Sequence, residues 1–229
     1  MAKTGVIIVA GGAGRRMGGS LPKQFLMLGN NPILVRTINR MRETLPAAEI
    51  VVVLPEEHIA LWHNLSARFE VAQHKVVAGG KERFHSVAAG LAALSDDVRT
   101  IAVHDGVRPL VSKKLIIKLL LQCEDHPVVI PAIAPADSCR MICNDGSQII
   151  DRSNVRLIQT PQVFHADVLR KVYNQEFSPA FTDDASVAEA AGYAVHLCDG
   201  ERHNIKITTP DDIIFAEAII AAEDGEIQL

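Results

Sequence analysis

The sequence predicts an α/β fold in which a mostly parallel sheet is covered by helices on both faces. Three observations carry this expectation. The runs Val6–Val9, Ile50–Leu54, Ile101–His104 and Val128–Ile133 are apolar without alternation, as strands buried on both faces are. Segments with helical periodicity lie between them. A glycine loop, Ala10-Gly11-Gly12-Ala13-Gly14-Arg15-Arg16-Met17-Gly18-Gly19, follows the first run directly.

The elements follow in chain order. Val6–Val9 is the first strand. Pro32–Arg42 reads as a helix, with Asn31 as its cap and Pro32 at its first position. Ile50–Leu54 is the next strand and Glu57–Phe69 the next helix. Val76–Val77 is a short strand, followed by a helix over Phe84–Leu94. After the strand Ile101–His104 comes a helix over Leu115–Cys123, with Ser112 as a candidate cap. Val128–Ile133 is a further strand. There the rhythm breaks. Met141-Ile142 and Ile149-Ile150 flank Asn144-Asp145-Gly146, a hairpin-turn signal, so an arm inserted at about 137–157 should reach beyond the core. Helices over Ala166–Tyr173 and Asp184–Ala191, late strands at Ala194–Cys198 and Ile205–Ile207, and a last helix opened by Thr209-Pro210-Asp211-Asp212 complete the pattern. With no repeat or linker, residues 1–229 read as one domain carrying that arm.

The chain has 229 residues, 48% of them hydrophobic, and a formal net charge of −4. That length suits one α/β domain. The mild acidity argues against nucleic acid as a partner. No apolar stretch approaches the ~20 residues of a membrane span. The first strand begins almost at the N-terminus, leaving no room for a targeting segment, so a cytoplasmic location is expected. Cys139 and Cys143 sit four apart, but neither Cys123 nor Cys198 supplies a second ligand pair, so a zinc site is not expected.

Function is concentrated in the glycine loop. Its backbone N–H groups, with Arg15, Arg16 and Lys23, suit polyphosphate oxygens. A P-loop would need Gly-x-x-x-x-Gly-Lys-Ser/Thr, and Gly80-Lys81 is followed by Glu82. A dinucleotide fingerprint should open straight into a helix, which Gly18, Gly19 and Pro22 interrupt. The nucleotidyltransferase pattern Gly-Gly-x-Gly-x-Arg-Met followed by Pro-Lys fits without adjustment. Other strand ends add polar groups. Gly79-Gly80 with Ser86 could receive a nucleobase, or could simply cap the next helix. Asp105, beside the phosphate loop, is a candidate magnesium ligand, and Arg108 could pair with it or bind phosphate. Asp151-Arg152, Gln159-Thr160-Pro161-Gln162, Thr182-Asp183 and Asn204-Ile205-Lys206 offer groups for a second substrate.

Taken together, Ala-Gly-Gly-x-Gly-Arg-Arg-Met, Pro22-Lys23-Gln24, Gly79-Gly80-x-x-Arg83-x-x-Ser86-Val87, His104-Asp105-x-x-Arg108-Pro109, Thr160-Pro161-Gln162-x-Phe164, Thr182-Asp183 and Asn204-Ile205-Lys206 closely resemble the 2-C-methyl-D-erythritol 4-phosphate cytidylyltransferase family. The resemblance spans nearly the whole chain in the same motif order. It implies a Rossmann-like nucleotidyltransferase fold and a homodimer with interlocking hairpin arms. It also implies transfer of CMP from CTP to a methylerythritol phosphate with release of pyrophosphate, in non-mevalonate isoprenoid precursor biosynthesis, with magnesium or another divalent cation. Arg16 and Lys23 match the family's transition-state-stabilising pair, and Arg152 and Lys206 match the residues that position the acceptor. Ala10, Gly11, Gly12, Ala13 and Gly14 match the nucleotide loop, and Gly80 and Ser86 the cytosine contacts. Asp105, Arg108, Thr160 and Thr182 match further substrate contacts, as does Ser138, which stands where a Thr is expected. Lys81 and His203 stand where some relatives carry Asp. Two rival functions keep the glycine loop: a cytidylyltransferase for another polyol phosphate such as ribitol 5-phosphate, and a nucleotide-binding regulatory module without turnover. Arg16, Lys23 and Asp105 argue against the latter, since sensing needs no transition-state clamp.

Overall fold

Strands and helices alternate through a computed structural model that describes residues 3–12, 21–223 and 225. The sheet strands are β1 (Thr4–Val9), β4 (Glu49–Leu54), β5 (Lys75–Ala78), β6 (Thr100–Asp105), β7 (Val128–Ile133), β10 (Leu157–Ile158), β11 (Gln162–His165) and β12 (His196–Asp199). Two small pairs stand apart: β2 (Met27–Leu28) with β3 (Asn31–Pro32), and β8 (Cys139–Cys143) with β9 (Gly146–Ile150). The helices are α1 (Ile33–Thr44), α2 (Glu56–Ser66), α3 (Arg83–Ala93), α4 (Lys113–Gln122), α5 (Ala166–Val172), α6 (Asp184–Ala190) and α7 (Pro210–Glu223).

The main sheet runs β10-β7-β11-β6-β1-β4-β5, with β12 also on β7. Neighbours among β6, β1, β4 and β5 are parallel, as is β12 with β7, while β10 and β11 run antiparallel to their neighbours. Side chains leave the sheet alternately. Val6 and Ile8 join one core with Ile38, Trp62 and Leu119 of α1, α2 and α4. Ile7 joins the other with Val87, Leu169 and Val187 of α3, α5 and α6. The mostly parallel, doubly covered sheet is therefore present. None of the helices among the described residues is long and apolar enough to cross a membrane.

Two local expectations fail, and one strand was not expected. Asn31 and Pro32 form β3, so α1 starts at Ile33 with no side-chain cap. Ile205–Ile207 is irregular, tied to the fold by the Ile207 N–H on the Val107 carbonyl at 2.9 Å. The strand β11, four residues long after Pro161, has no counterpart among the expected elements. It matters, because its antiparallel course (Gln162 opposite Val103) returns Thr160 to the carboxyl end of β6. At that same edge Val9 lies opposite Asp105 and Val53, and Leu54 opposite Ala78. The glycine loop, Asp105, Gly79 and Thr160 thus meet at one end of the sheet, where ligands of such folds bind.

The hairpin β8–β9 closes through Asn144-Asp145, with Cys143 opposite Gly146. Within this chain Ile142 is 82% exposed and Ile149 79% exposed.

Candidate active site

Two adjoining cavities open at the carboxyl edge. The first, of about 300 Å³, is lined by Ala10, Gly11, Gly12, Lys23, Gln24, Gly79, Gly80, Ser86 and Val107, among others. The second, of about 280 Å³, is lined by Arg108, Thr160, Gln162, Thr182 and Asp183, among others. Arg83, Asp105 and Lys206 border both.

The first cavity is a glycine surface. Gln24, wholly buried, donates through Nε2 to the Ala10 carbonyl at 2.8 Å, tying the turn that carries Lys23 to the start of the loop. A Cβ on Gly12 would stand 3.3 Å from Lys23 Cε, so the lysine stem lies along the loop backbone. A Cβ on Gly80 would collide with the Cβ of His85. The Ser86 hydroxyl accepts the Gly80 N–H at 3.3 Å and donates to the Glu82 carbonyl at 3.2 Å, so it shapes the turn as well as lining the cavity. Ala13, Gly14 and Arg16 lie outside the described residues.

The wall between the cavities is a charge cluster. Asp105 Oδ2 meets Lys206 Nζ at 2.9 Å and Arg108 Nε at 3.4 Å, and its Oδ1 faces Arg83 Nε at 3.8 Å. Burial would raise its pKa, but Lys206, Arg83 and Arg108 hold the carboxyl well below the usual carboxylate range. Arg108 Nη1 also donates to the Asn204 carbonyl at 2.7 Å, which fixes the segment leading to Lys206. Asn204 Nδ2 donates to the Thr160 carbonyl at 2.9 Å, adding a second tie.

Beneath the cluster the hydrogen bonds form one directed relay. The Asp105 N–H donates to Thr160 Oγ1 at 3.0 Å, Thr160 donates to His104 Nδ1 at 3.0 Å, and His104 Nε2 donates to the Arg108 carbonyl at 3.0 Å. This pattern requires a neutral His104 protonated on Nε2. Complete burial agrees with it, pushing the imidazole down to about 4. The Thr160 hydroxyl, expected as a substrate contact, is occupied by this relay and sets the Asp105 backbone.

Two expected site residues are not brought in. Arg152 is exposed, its Nη1 donates to the Ala136 carbonyl at 2.5 Å, and it is not among the residues lining either cavity. Ser138 is exposed just before β8. Both belong to the arm, whose strands β8 and β9 pair with each other in a separate two-stranded sheet. Conversely, Arg83 and Gln24 border the cavities without an expected role, while Gln162 and Asp183, expected among the groups for a second substrate, line the second cavity. Arg83 and Gln24 stood inside quoted motifs, so a signal existed. Asp183 is also the cap of α6, its carboxylate accepting the Ser186 N–H at 2.9 Å.

No group of three or more His, Cys, Asp or Glu side chains that could hold a metal occurs among the described residues. A cage made wholly of protein ligands is therefore not offered. Asp105 is the carboxylate of this wall that could hold a magnesium ion brought with a phosphate-bearing substrate.

The comparisons agree with the geometry. The family model described as 2-C-methyl-D-erythritol 4-phosphate cytidylyltransferase matches residues 4–222. The chain is 45% identical over 216 residues to the 2-C-methyl-D-erythritol 4-phosphate cytidylyltransferase of Bacteroides fragilis, covering 93% of this chain and 98% of that one. It is 36% identical over 231 residues to the Syntrophus aciditrophicus protein of the same name, covering 98% and 99%. Among solved structures, the Anaerococcus prevotii 4-diphosphocytidyl-2C-methyl-D-erythritol synthase superposes with a TM-score of 0.81 at 29% identity, over 95% of this chain and 96% of that one. The Thermus thermophilus 2-C-methyl-D-erythritol 4-phosphate cytidylyltransferase does so with a TM-score of 0.74 at 30% identity, over 96% and 98%. With the family model matching residues 4–222 and relatives matched over nearly their full length, the chain belongs to the 2-C-methyl-D-erythritol 4-phosphate cytidylyltransferase family.

Proposed function

We propose that the first cavity holds CTP, the second holds the acceptor, and transfer takes place at the wall they share. As a member of its family the chain transfers CMP from CTP to 2-C-methyl-D-erythritol 4-phosphate, giving 4-diphosphocytidyl-2-C-methyl-D-erythritol and pyrophosphate for isoprenoid precursor synthesis. The observation that carries the two-cavity assignment is that Lys206 and Asp105 border both spaces.

The nucleophile is an oxygen of the acceptor phosphate, already anionic, so no general base is needed. It attacks the α-phosphorus in line and pyrophosphate leaves. The barrier is repulsion between anions and charge growing on the transferred and departing phosphates. Lys23, beside the glycine loop, and Arg16 stabilise that charge. Lys206 orients the acceptor phosphate, and Asp105 holds Lys206 and Arg108 so that they guide the anion without quenching it. Loop N–H groups at Gly11 and Gly12 receive the triphosphate. Magnesium bound at Asp105 and the triphosphate would supply Lewis-acid neutralisation of phosphate charge.

Arg152 enters this scheme only from a second subunit. The exposed Ile142 and Ile149 of the arm support a homodimer in which the hairpin packs on its partner, because an isolated two-stranded hairpin is marginal in water. Each site would then be completed by the partner's arm.

Pyrophosphate release from each of the four NTPs, with methylerythritol phosphate or ribitol 5-phosphate, tests the assignment. Release is expected only with CTP and methylerythritol phosphate. Comparable turnover with ATP or GTP, or with ribitol phosphate, would overturn it.

A further inference from the structure

The mechanism above leaves Arg83 unused, although Arg83 borders both cavities. Its two Nη atoms donate to the two oxygens of Asp184 at 2.7 Å each. Its Nε faces Asp105 at 3.8 Å. Asp184 is wholly buried and also accepts the Tyr173 hydroxyl at 2.6 Å. The Tyr173 ring stacks on Phe84, the neighbour of Arg83, with centroids 4.7 Å apart. The guanidinium is therefore held from two directions. The bidentate grip takes two of its five N–H groups. The side chain keeps 28% of its surface exposed, on the cavity wall.

A buried arginine–aspartate pair serving only to hold α3 against α6 would not need that opening. Asp184 balances the charge of Arg83, so what the residue offers the wall is directed donors more than net charge. A planar fork of fixed orientation suits a phosphate oxygen whose direction matters.

We propose that Arg83 donates to a non-bridging oxygen of the phosphate at the junction of the two cavities, aligning it for attack, and that Asp184 and Tyr173 are positioning residues that hold its fork. The proposal rests on the two-cavity assignment, and the test separates the two.

The test uses the full-length enzyme and measures kcat, both KM values, CTP affinity by equilibrium dialysis, and thermal unfolding. Arg83→Gln alone would leave the Asp184 carboxylate buried without its partner, so the double variant Arg83→Gln/Asp184→Asn, which removes both charges and keeps amide hydrogen bonding, is the main probe. Its kcat is expected to fall on the order of 10²-fold, as for other preorganised donors, with CTP affinity changed less than about threefold. Arg83→Lys keeps the charge but not the fork, and should fall by a similar factor. Tyr173→Phe keeps the ring stack and removes one bond to Asp184, and should lower kcat by about 3–10-fold without weakening CTP binding. A folded double variant with kcat within about threefold of the parent, or full activity in Arg83→Lys, would overturn the role of Arg83. Lys206→Ala serves as the reference. If Lys206→Ala loses activity while the double variant keeps it, the Arg83 assignment alone falls. If both keep it, the two-cavity assignment falls as well.

Discussion

Replacing Asp105 by Asn should leave the shape of the site intact and unbalance its charge. Three cations, Lys206, Arg108 and Arg83, face that carboxylate at 2.9, 3.4 and 3.8 Å. Removing one member of a buried ion pair costs about 3–5 kcal/mol. Here the cations open onto cavities, and the Lys206 side chain is 45% exposed, so solvent screening reduces the cost. A loss of about 2–3 kcal/mol follows, which for a chain of this size lowers Tm by about 5–10 °C. The Asp105 N–H still reaches Thr160, so the relay below should survive. Lys206 and Arg108, left without this counter-ion, should then hold anions in the ground state, so pyrophosphate should raise Tm more in the variant than in the parent. The sign with pH is also set. The Asp105 carboxyl is held below its unfolded value, so its contribution is complete above the unfolded range and fades only as pH falls through the lower folded value. The Tm difference between variant and parent should therefore be flat from about pH 5 to 8. Thermal unfolding with and without pyrophosphate at three pH values reads all of this. An unliganded Tm within about 1 °C of the parent would refute the cluster as an electrostatic unit.

Other outcomes are equally specific. Lys23→Ala and Arg16→Ala should each lower kcat by about 10²–10³-fold with a much smaller loss of CTP affinity, and a raised KM at normal kcat would make either residue a plain binding group. His104 titrates below its unfolded value, so native stability should decline as pH falls from about 6.5 to about 4, and His104→Gln should remove that component from the pH dependence of unfolding. Thr160→Val leaves the Asp105 N–H without its acceptor and should cost about 1–3 kcal/mol by denaturant titration. Replacing Cys139–Ile150 by a short turn should give a monomer in sedimentation. Mixing inactive Arg152→Ala and Lys206→Ala enzymes should regain part of the activity if the arm completes the partner's site, and proven subunit exchange without regain would exclude a shared site.

Periodicity and glycine placement were enough to read the sheet. Unbroken apolar runs such as Ile50–Leu54 suit burial on both faces, and the glycines after Val9 suit a close-lying ligand, so both properties are local. The motifs likewise named Lys23, Asp105 and Lys206. What local chemistry left open was decided by register. β11 is short, follows a proline and runs antiparallel, so no sequence pattern could show that it carries Thr160 to Asp105. Arg83 and Asp184 are 101 residues apart, and their pairing follows from where α3 and α6 pack on one face of the sheet. The same holds for Arg152, which the motifs grouped with Lys206 and which this chain keeps on its arm, its Nη1 on the Ala136 carbonyl. Residue type and short spacing determine which chemistry a chain can perform, because they act through the backbone within a turn or two. Which groups meet is a non-local property, set by the pairing of strands and the packing of helices, and only the folded chain decides it.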